Sequence, residues 1–364
     1  MGRTRSPGPR IVFITPYYQP VVGGVTTFVS GLGTELVRRG ADVTILTRDG
    51  AEGPGVRRGP RNRAAFVRWC RRTIREIRPD IIHGHGHWYC LAGALSRFGG
   101  PLAARIVFTV HTVPDVSLAF RSSFRWVLRK AHIVTFVSEH SRAEFVRRFG
   151  LPRESAVVFP GVRESVVELK KRPRTDPEGF RICAVSLMSW QGKVDGLRLL
   201  LEATARLAKL IPNVSLSLVG DGEFRPDLES LARRLVLGER VRFTGLVDDP
   251  APILATSDVF CHISFQDSFA QAVLEAMSLS LPIVVNDGTL DDPIFSRSEC
   301  GILHSPPDAE SLCQVLQTLA SDPEARSRLG AQAKEFVQRE FSWRSQAERF
   351  WTVYGLASDL ASSP

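Results

Sequence analysis

Arg10-Ile-Val-Phe-Ile-Thr15 is an apolar, β-branched run that Pro16-Tyr-Tyr-Gln-Pro-Val-Val-Gly-Gly24 interrupts. Val25 to Gly40 then follows with helical spacing, and Asp42-Val-Thr-Ile-Leu-Thr47 is apolar and β-branched again. Strand, Gly-rich turn, helix and strand in that order open a doubly wound parallel sheet. The alternation continues outward. A helix is expected near 64–78, a strand at Ile81 to His83, a helix after Trp88, a strand at Ile106 to Val110, a helix near 121–130 and a strand at Ile133 to Val137. A second series of strands is expected at Ile182 to Ser186, Val214 to Val219, Val241 to Thr244, Val259 to His262 and Ile283 to Asn286, with helices between them.

Residues 166–180 separate the two series. They are charged, contain Pro173 and Pro177, and carry no apolar period, so they read as a linker. The expected division is 1–165, linker, then 181–342, with a last helix in 343–364 packing back on the first lobe. At roughly 150 residues per domain, 364 residues agree with two lobes. A hydrophobic fraction of 43% is enough for two cores and excludes a disordered or fibrous chain. No apolar run reaches the roughly 18 residues that a bilayer span needs. The six cysteines are dispersed, without Cys-x-x-Cys spacing, which points to a reducing cytoplasmic setting rather than a disulfide framework.

The net charge of +9 is uneven. Residues 1–180 hold 30 Lys and Arg against 14 Asp and Glu, whereas 181–364 hold 17 against 24. A basic first half attracts anions. In Phe66 to Arg78, the apolar Phe66, Cys70, Ile74 and Ile77 recur at helical spacing beside Arg68, Arg71, Arg72, Arg75 and Arg78. Phe120 to Lys130 repeats the pattern. Two readings stand side by side: solvated faces of ordinary helices, or peripheral contact with an anionic membrane surface. Nucleic acid is not expected as a partner, because no recognition motif or basic-aromatic platform accompanies the charge.

Ligands of open α/β sheets bind at the carboxyl ends of the strands. Gly23 and Gly24 there let backbone approach an anion at a helix start. His111 follows a strand directly. Lys193 follows Gly192 at another helix start, suited to a diphosphate, although the remaining residues of a P-loop are absent. Glu275 falls in the apolar row of Phe269, Ala272, Val273 and Ala276, where a carboxylate needs hydrogen-bonding partners such as sugar hydroxyls.

Asp267-Ser-Phe-Ala-Gln-Ala-Val-Leu-Glu275-Ala-Met277, with Leu281-Pro-Ile-Val-Val285 behind it, resembles the signature of the retaining nucleotide-sugar glycosyltransferases of family 4. The likeness extends along nearly the whole chain. It includes Pro20 to Val25, His111, Val137-Ser-Glu139, Phe159-Pro-Gly-Val162, Lys193, Val219-Gly-Asp-Gly222, Phe243-Thr-Gly245 and Ser257-Asp-Val259. The resemblance implies the α/β GT-B fold: two Rossmann-like lobes facing across a cleft, acceptor in the first and nucleotide sugar in the second. It implies that Glu275 binds the ribose, that Lys193 holds the diphosphate with Gly23 and Gly24, and that Asp267, Phe269 and Ala270 meet the donor sugar beside His111. His111, Lys193 and Asp267 are thus the catalytic candidates. The implied reaction moves a hexose from a nucleoside-diphosphate sugar to a hydroxyl of a lipid, glycan or small molecule, keeping the anomeric configuration, with no metal and no cofactor.

Several positions depart from the family pattern. Asp267 replaces the usual Glu, Leu187 stands where an Arg generally precedes the Lys, and Ala270 and Ser280 replace glycines. The later Gly-Gly…Glu stretch is reduced to Asp287-Gly288 and Asp291-Asp292. These departures motivate a second reading, a catalytically degenerate nucleotide-sugar-binding protein. A nucleotide-sugar epimerase of related architecture is a third. His83-Gly-His-Gly-His87 invites a metal site, since alternation along an extended segment puts three imidazoles on one side. No acidic residue adjoins it in sequence, and no metal is expected.

Overall fold

A computed structural model describes residues 8–21, 23–87, 89–90, 104–113, 124–125, 128–150, 152–162, 179–265, 271–287, 290, 293–296 and 300–356. Asp267, Phe269 and Ala270, most of the linker, nearly all of the helix expected after Trp88 and half of the expected helix at 121–130 lie outside these residues. The chain divides into two units, residues 1–161 with 343–364, and residues 162–342.

The first unit is built on a parallel sheet of 7 strands in the order β3-β2-β1-β4-β5-β6-β7. Its strands are β1 (Arg10–Tyr17), β2 (Asp42–Asp49), β3 (Val56–Arg58), β4 (Ile81–His85), β5 (Arg105–Val110), β6 (Ile133–Phe136) and β7 (Ser155–Val157). Central strands of such a sheet are covered on both faces, so they read as unbroken apolar runs. Ile11, Val12, Phe13 and Ile14 are all fully buried, each burial worth roughly 1.5–3 kcal/mol. The register sets Ile11 beside both Val43 of β2 and Ile81 of β4. Helix α1 (Gly24–Arg38) follows β1, α2 (Arg63–Ile77) follows β3, and α3 (Glu139–Phe149) follows β6. In α2 the Asn62 side chain accepts hydrogen bonds from the amides of Ala64 and Ala65, satisfying two of the orphan donors of the first turn. Phe66, Cys70, Thr73 and Ile74 form its buried stripe, while Arg68, Arg71, Arg72 and Arg75 are exposed.

The second unit has a parallel sheet of 6 strands ordered β10-β9-β8-β11-β12-β13. These are β8 (Phe180–Val185), β9 (Val214–Val219), β10 (Val241–Gly245), β11 (Val259–His262), β12 (Ile283–Asn286) and β13 (Ile302–Ser305). Helices α4 (Gln191–Leu207), α5 (Arg225–Arg234), α6 (Gln271–Ser278), α7 (Ala309–Ser321) and α8 (Pro323–Glu340) accompany them. Ile182, Leu216, Leu218 and Val259 meet Leu200, Leu201, Leu312 and Leu316 in its core. All six cysteines are free and buried.

The last helix, α9 (Trp343–Val353), belongs to the first unit and lies on α1. Phe28 meets Trp343 and Phe350 edge-on, with centroids 5.4 and 5.8 Å apart. Gly31 makes this approach possible, because a Cβ there would run into the Trp343 indole. Three strands were not anticipated from sequence: β3, β7 and β13. The first two span three residues each and are partly or fully exposed, so they carry no burial pattern of their own.

Candidate active site

Each unit gathers chemistry at the carboxyl edge of its own sheet. In the second unit, Lys193 is the third residue of α4 and partly buried. Its turn is fixed to the segment leaving β11, where the Phe265 amide donates to the Gly192 carbonyl at 3.0 Å. One turn on, Gly196 lies flush against the Ile263 carbonyl, leaving no room for a Cβ. The head of α4 has no side-chain cap, so its dipole favours negative charge beside Lys193. Loops after β8 and β9 are bound together as well. The Met188 amide donates to the Asp221 carbonyl at 2.9 Å, and Gly220, at φ 131°, lies where a Cβ would strike the Ser186 carbonyl.

Leu187, in that loop, is 50% exposed where the family resemblance expects an Arg. Arg225 nearby does not replace it, because Asp221 and Glu229 already engage its guanidinium at 3.1 and 2.8 Å. Glu275 on α6 is only 5% exposed, among buried Val273, Leu274, Ala276 and Met277. A carboxylate so placed demands hydrogen bonds. Asn286, at the end of β12, joins the edge by accepting the Ser264 amide at 2.8 Å.

In the first unit, Gly23 and Gly24 begin α1. A Cβ on either would meet nothing within 4 Å, and no side chain caps the helix, so the backbone there stands open. Phe28, one turn along, meets the His111 ring edge-on at 4.9 Å. The structure thus brings His111 and the α1 start together. His111 Nε2 and His85 Nδ1 are 3.3 Å apart, while His83 is held by Tyr354 Oη at 2.8 Å and Thr109 Oγ1 at 2.6 Å. Thr109 in turn pairs with Thr135 at 2.6 Å. Burial keeps all three imidazoles neutral. The His111 pKa falls to about 3, and those of His83 and His85 fall well below the ordinary range, chiefly through burial with smaller contributions from neighbouring histidines.

The expectation of three imidazoles on one side does not hold. His83 and His85 are buried with ring centroids 4.0 Å apart, but Gly86 turns the chain at φ 75° and sends His87 elsewhere. His87 is exposed and stacks on Tyr89, centroids 5.4 Å apart and planes within 9°. The sequence signals His85 only as part of that run; its contact with His111 depends on β4 and β5 being neighbours, which no local spacing reveals.

Comparison with known proteins bears on both units. Residues 22–165 match the family described as Glycosyltransferase Family 4, and residues 185–336 match Glycosyl transferases group 1. The chain belongs to the group 1 glycosyltransferases. This group 1 glycosyltransferase is 34% identical to the lipopolysaccharide core biosynthesis glycosyltransferase of Rhizobium meliloti over 61% of its own length and 62% of the relative's. It is 27% identical to the sulfoquinovosyl transferase of Arabidopsis thaliana over 75% and 56%. It therefore spans less than two thirds of either relative. Among solved structures, Anabaena HepE in complex with UDP-glucose superposes with TM-score 0.74 at 19% identity, covering 98% of this chain and 100% of that one. The fold of this glycosyltransferase is α/β GT-B.

Proposed function

We propose that the protein transfers a hexose from a nucleoside-diphosphate sugar to the hydroxyl of a lipid, glycan or small molecule, with retention and without a metal or cofactor. The observations that carry this reading are both in the second unit: a buried Glu275 carboxylate on α6, and Lys193 at the uncapped start of α4. In this reading Glu275 accepts the ribose hydroxyls and Lys193 neutralises the diphosphate. The bond from the anomeric carbon to the β-phosphate oxygen breaks, the acceptor oxygen bonds to the same face, and the acceptor proton passes to the departing phosphate. Negative charge grows on the diphosphate in that transition state, where a cation and backbone donors stabilise it most. Gly23 and Gly24 add backbone donors, and neutral His111 offers a hydrogen bond rather than a proton. Asp267, Phe269 and Ala270 complete the sugar contacts. The UDP-glucose in the Anabaena neighbour supports a nucleotide sugar as donor.

The test is turnover of a panel of sugar nucleotides, with the product's anomeric configuration read by NMR and the assay repeated with a chelator. Transfer lost by 100-fold or more in Glu275→Ala and Lys193→Ala is expected, about the range for removing one transition-state contact. Nucleotide binding without turnover would support the degenerate binding protein, which Leu187 favours. Interconversion of free sugar nucleotides would support an epimerase.

The reading extends to the cytoplasmic membrane surface as the place of work. Among the described residues no helix is long and apolar enough to cross a membrane. The exposed arginines of α2 support peripheral attachment to anionic lipid.

A further inference from the structure

Arg48 near the end of β2 and Arg63 at the start of α2 converge on one aromatic ring. Their guanidinium carbons lie 5.3 and 5.6 Å from the centroid of Tyr89. His87 stacks on that ring from the turn after β4. Tyr89 itself is 1% exposed and packs edge-on against Phe66, so the platform under these groups is rigid. Several other arginines are matched with acids: Arg148 with Glu144, Arg198 with Asp195, Arg206 with Glu310 and Arg225 with Asp221 and Glu229. Neither Arg48 nor Arg63 has a carboxylate partner among the described residues. Two like charges drawn to one ring repel each other. The ring's quadrupole offsets only part of that, at about 0.5–1 kcal/mol for an exposed cation.

We propose that Arg48, Arg63 and His87, arranged around Tyr89, form the seat for a phosphate-ester oxyanion carried by the acceptor. The chemistry selects this ligand. A guanidinium fork matches the oxygens of phosphate in bidentate geometry, and a tetrahedral anion offers enough acceptor atoms for two forks and an imidazole N–H at once. A neutral sugar hydroxyl would leave both charges uncompensated. The place also fits: β2 and β4 end here, on the same sheet edge as the α1 start and His111. This seat rests on the transferase reading, as the part of the first unit that selects the acceptor.

Calorimetric titration with inorganic phosphate, at ionic strength held constant with chloride, tests it. Arg48→Gln and Arg63→Gln should each weaken phosphate binding at least about tenfold, as expected for one charge-assisted contact, and the double variant should abolish it. Arg147→Gln removes an equal charge from the exposed face of α3 and should leave the affinity within about twofold. Glycerol 3-phosphate and vesicles of phosphatidylcholine with or without phosphatidylglycerol then identify the source. Competition by the soluble monoester alone makes the acceptor a free phosphate ester, and competition by the anionic vesicles alone makes it a lipid headgroup. Phosphate affinity unchanged in the double variant, or lowered equally by Arg147→Gln, overturns the seat. Hydrolysis of sugar nucleotides by the wild-type protein without acceptor reads the transferase assignment separately, so either can fail while the other stands.

Discussion

Residue chemistry in the first unit turns on which nitrogens of His85 and His111 carry protons. His85 Nε2 is buried with no hydrogen-bond partner, and its Nδ1 faces His111 Nε2. If His111 donated, His85 would hold its own proton on Nε2, an orphaned buried N–H, which folded proteins tolerate less readily than an idle acceptor. His85 therefore donates, and His111 carries its proton on Nδ1. Nitrogen-15 NMR of the labelled protein should show a pyridine-like Nε2 and a pyrrole-like Nδ1 for His111; the reverse pattern would sink the assignment. The individual residue is also where sequence reading worked best for Glu275, since a carboxylate in an apolar helical row is conspicuous without any coordinates. It worked least for Arg48 and Arg63, which are 15 positions apart and meet only because the end of β2 and the start of α2 both lie beside Tyr89.

Among elements, the contacts of α4 and α1 are set by glycines that admit close backbone approach. Gly196→Ala would drive a methyl into the Ile263 carbonyl. Backbone cannot swing aside as a side chain does, so a loss of about 1–3 kcal/mol is expected in urea unfolding. Because Lys193 rides on the same helix end, the Michaelis constant for the donor should rise with it. Gly31→Ala should cost a similar amount by pushing Trp343 off α1. If either variant unfolds at the wild-type midpoint, the packing argument fails for that helix. At this scale the central strands were legible and the edges were not. Val259 to His262 and Ile283 to Asn286 are buried on both faces and announce themselves as apolar runs. Val56–Arg58 takes its strand character from pairing with Ile45 to Thr47, which its own side chains do not signal.

For the whole molecule, the neutral histidines, two buried and one half-buried, make one unit acid-sensitive. His83, His85 and His111 all belong to the first unit, and each has a folded pKa lowered from its ordinary value near 6.5. Below pH 6.5 the unfolded chain takes up protons that the folded unit refuses, so stability falls as pH drops, from 6.5 down to about 3 for His111. A histidine held neutral to pH 5 costs about 2 kcal/mol there. Urea titrations between pH 7 and 4.5 should show the first unit losing stability well before the second, and parallel loss in both would contradict this. Charge acts at the same scale. Replacing Arg68, Arg71, Arg72 and Arg75 by glutamine should reduce partitioning onto anionic vesicles by about three orders of magnitude at low salt, at about 1 kcal/mol per arginine. High salt should reduce wild-type binding in the same way. Equal binding to neutral vesicles would remove the electrostatic attachment.

The order of the buried central strands, the place of Glu275 in an apolar helical row and the glycine-marked starts of α1 and α4 were legible in sequence, because burial on two faces and turn-forming residues are local properties that leave periodic or compositional traces. The contact between His85 and His111, the turn that takes His87 away from its neighbours and the meeting of two arginines over Tyr89 were settled only by tertiary structure. Each depends on which strands lie side by side, and that is fixed by the packing of the whole sheet rather than by any stretch of chain.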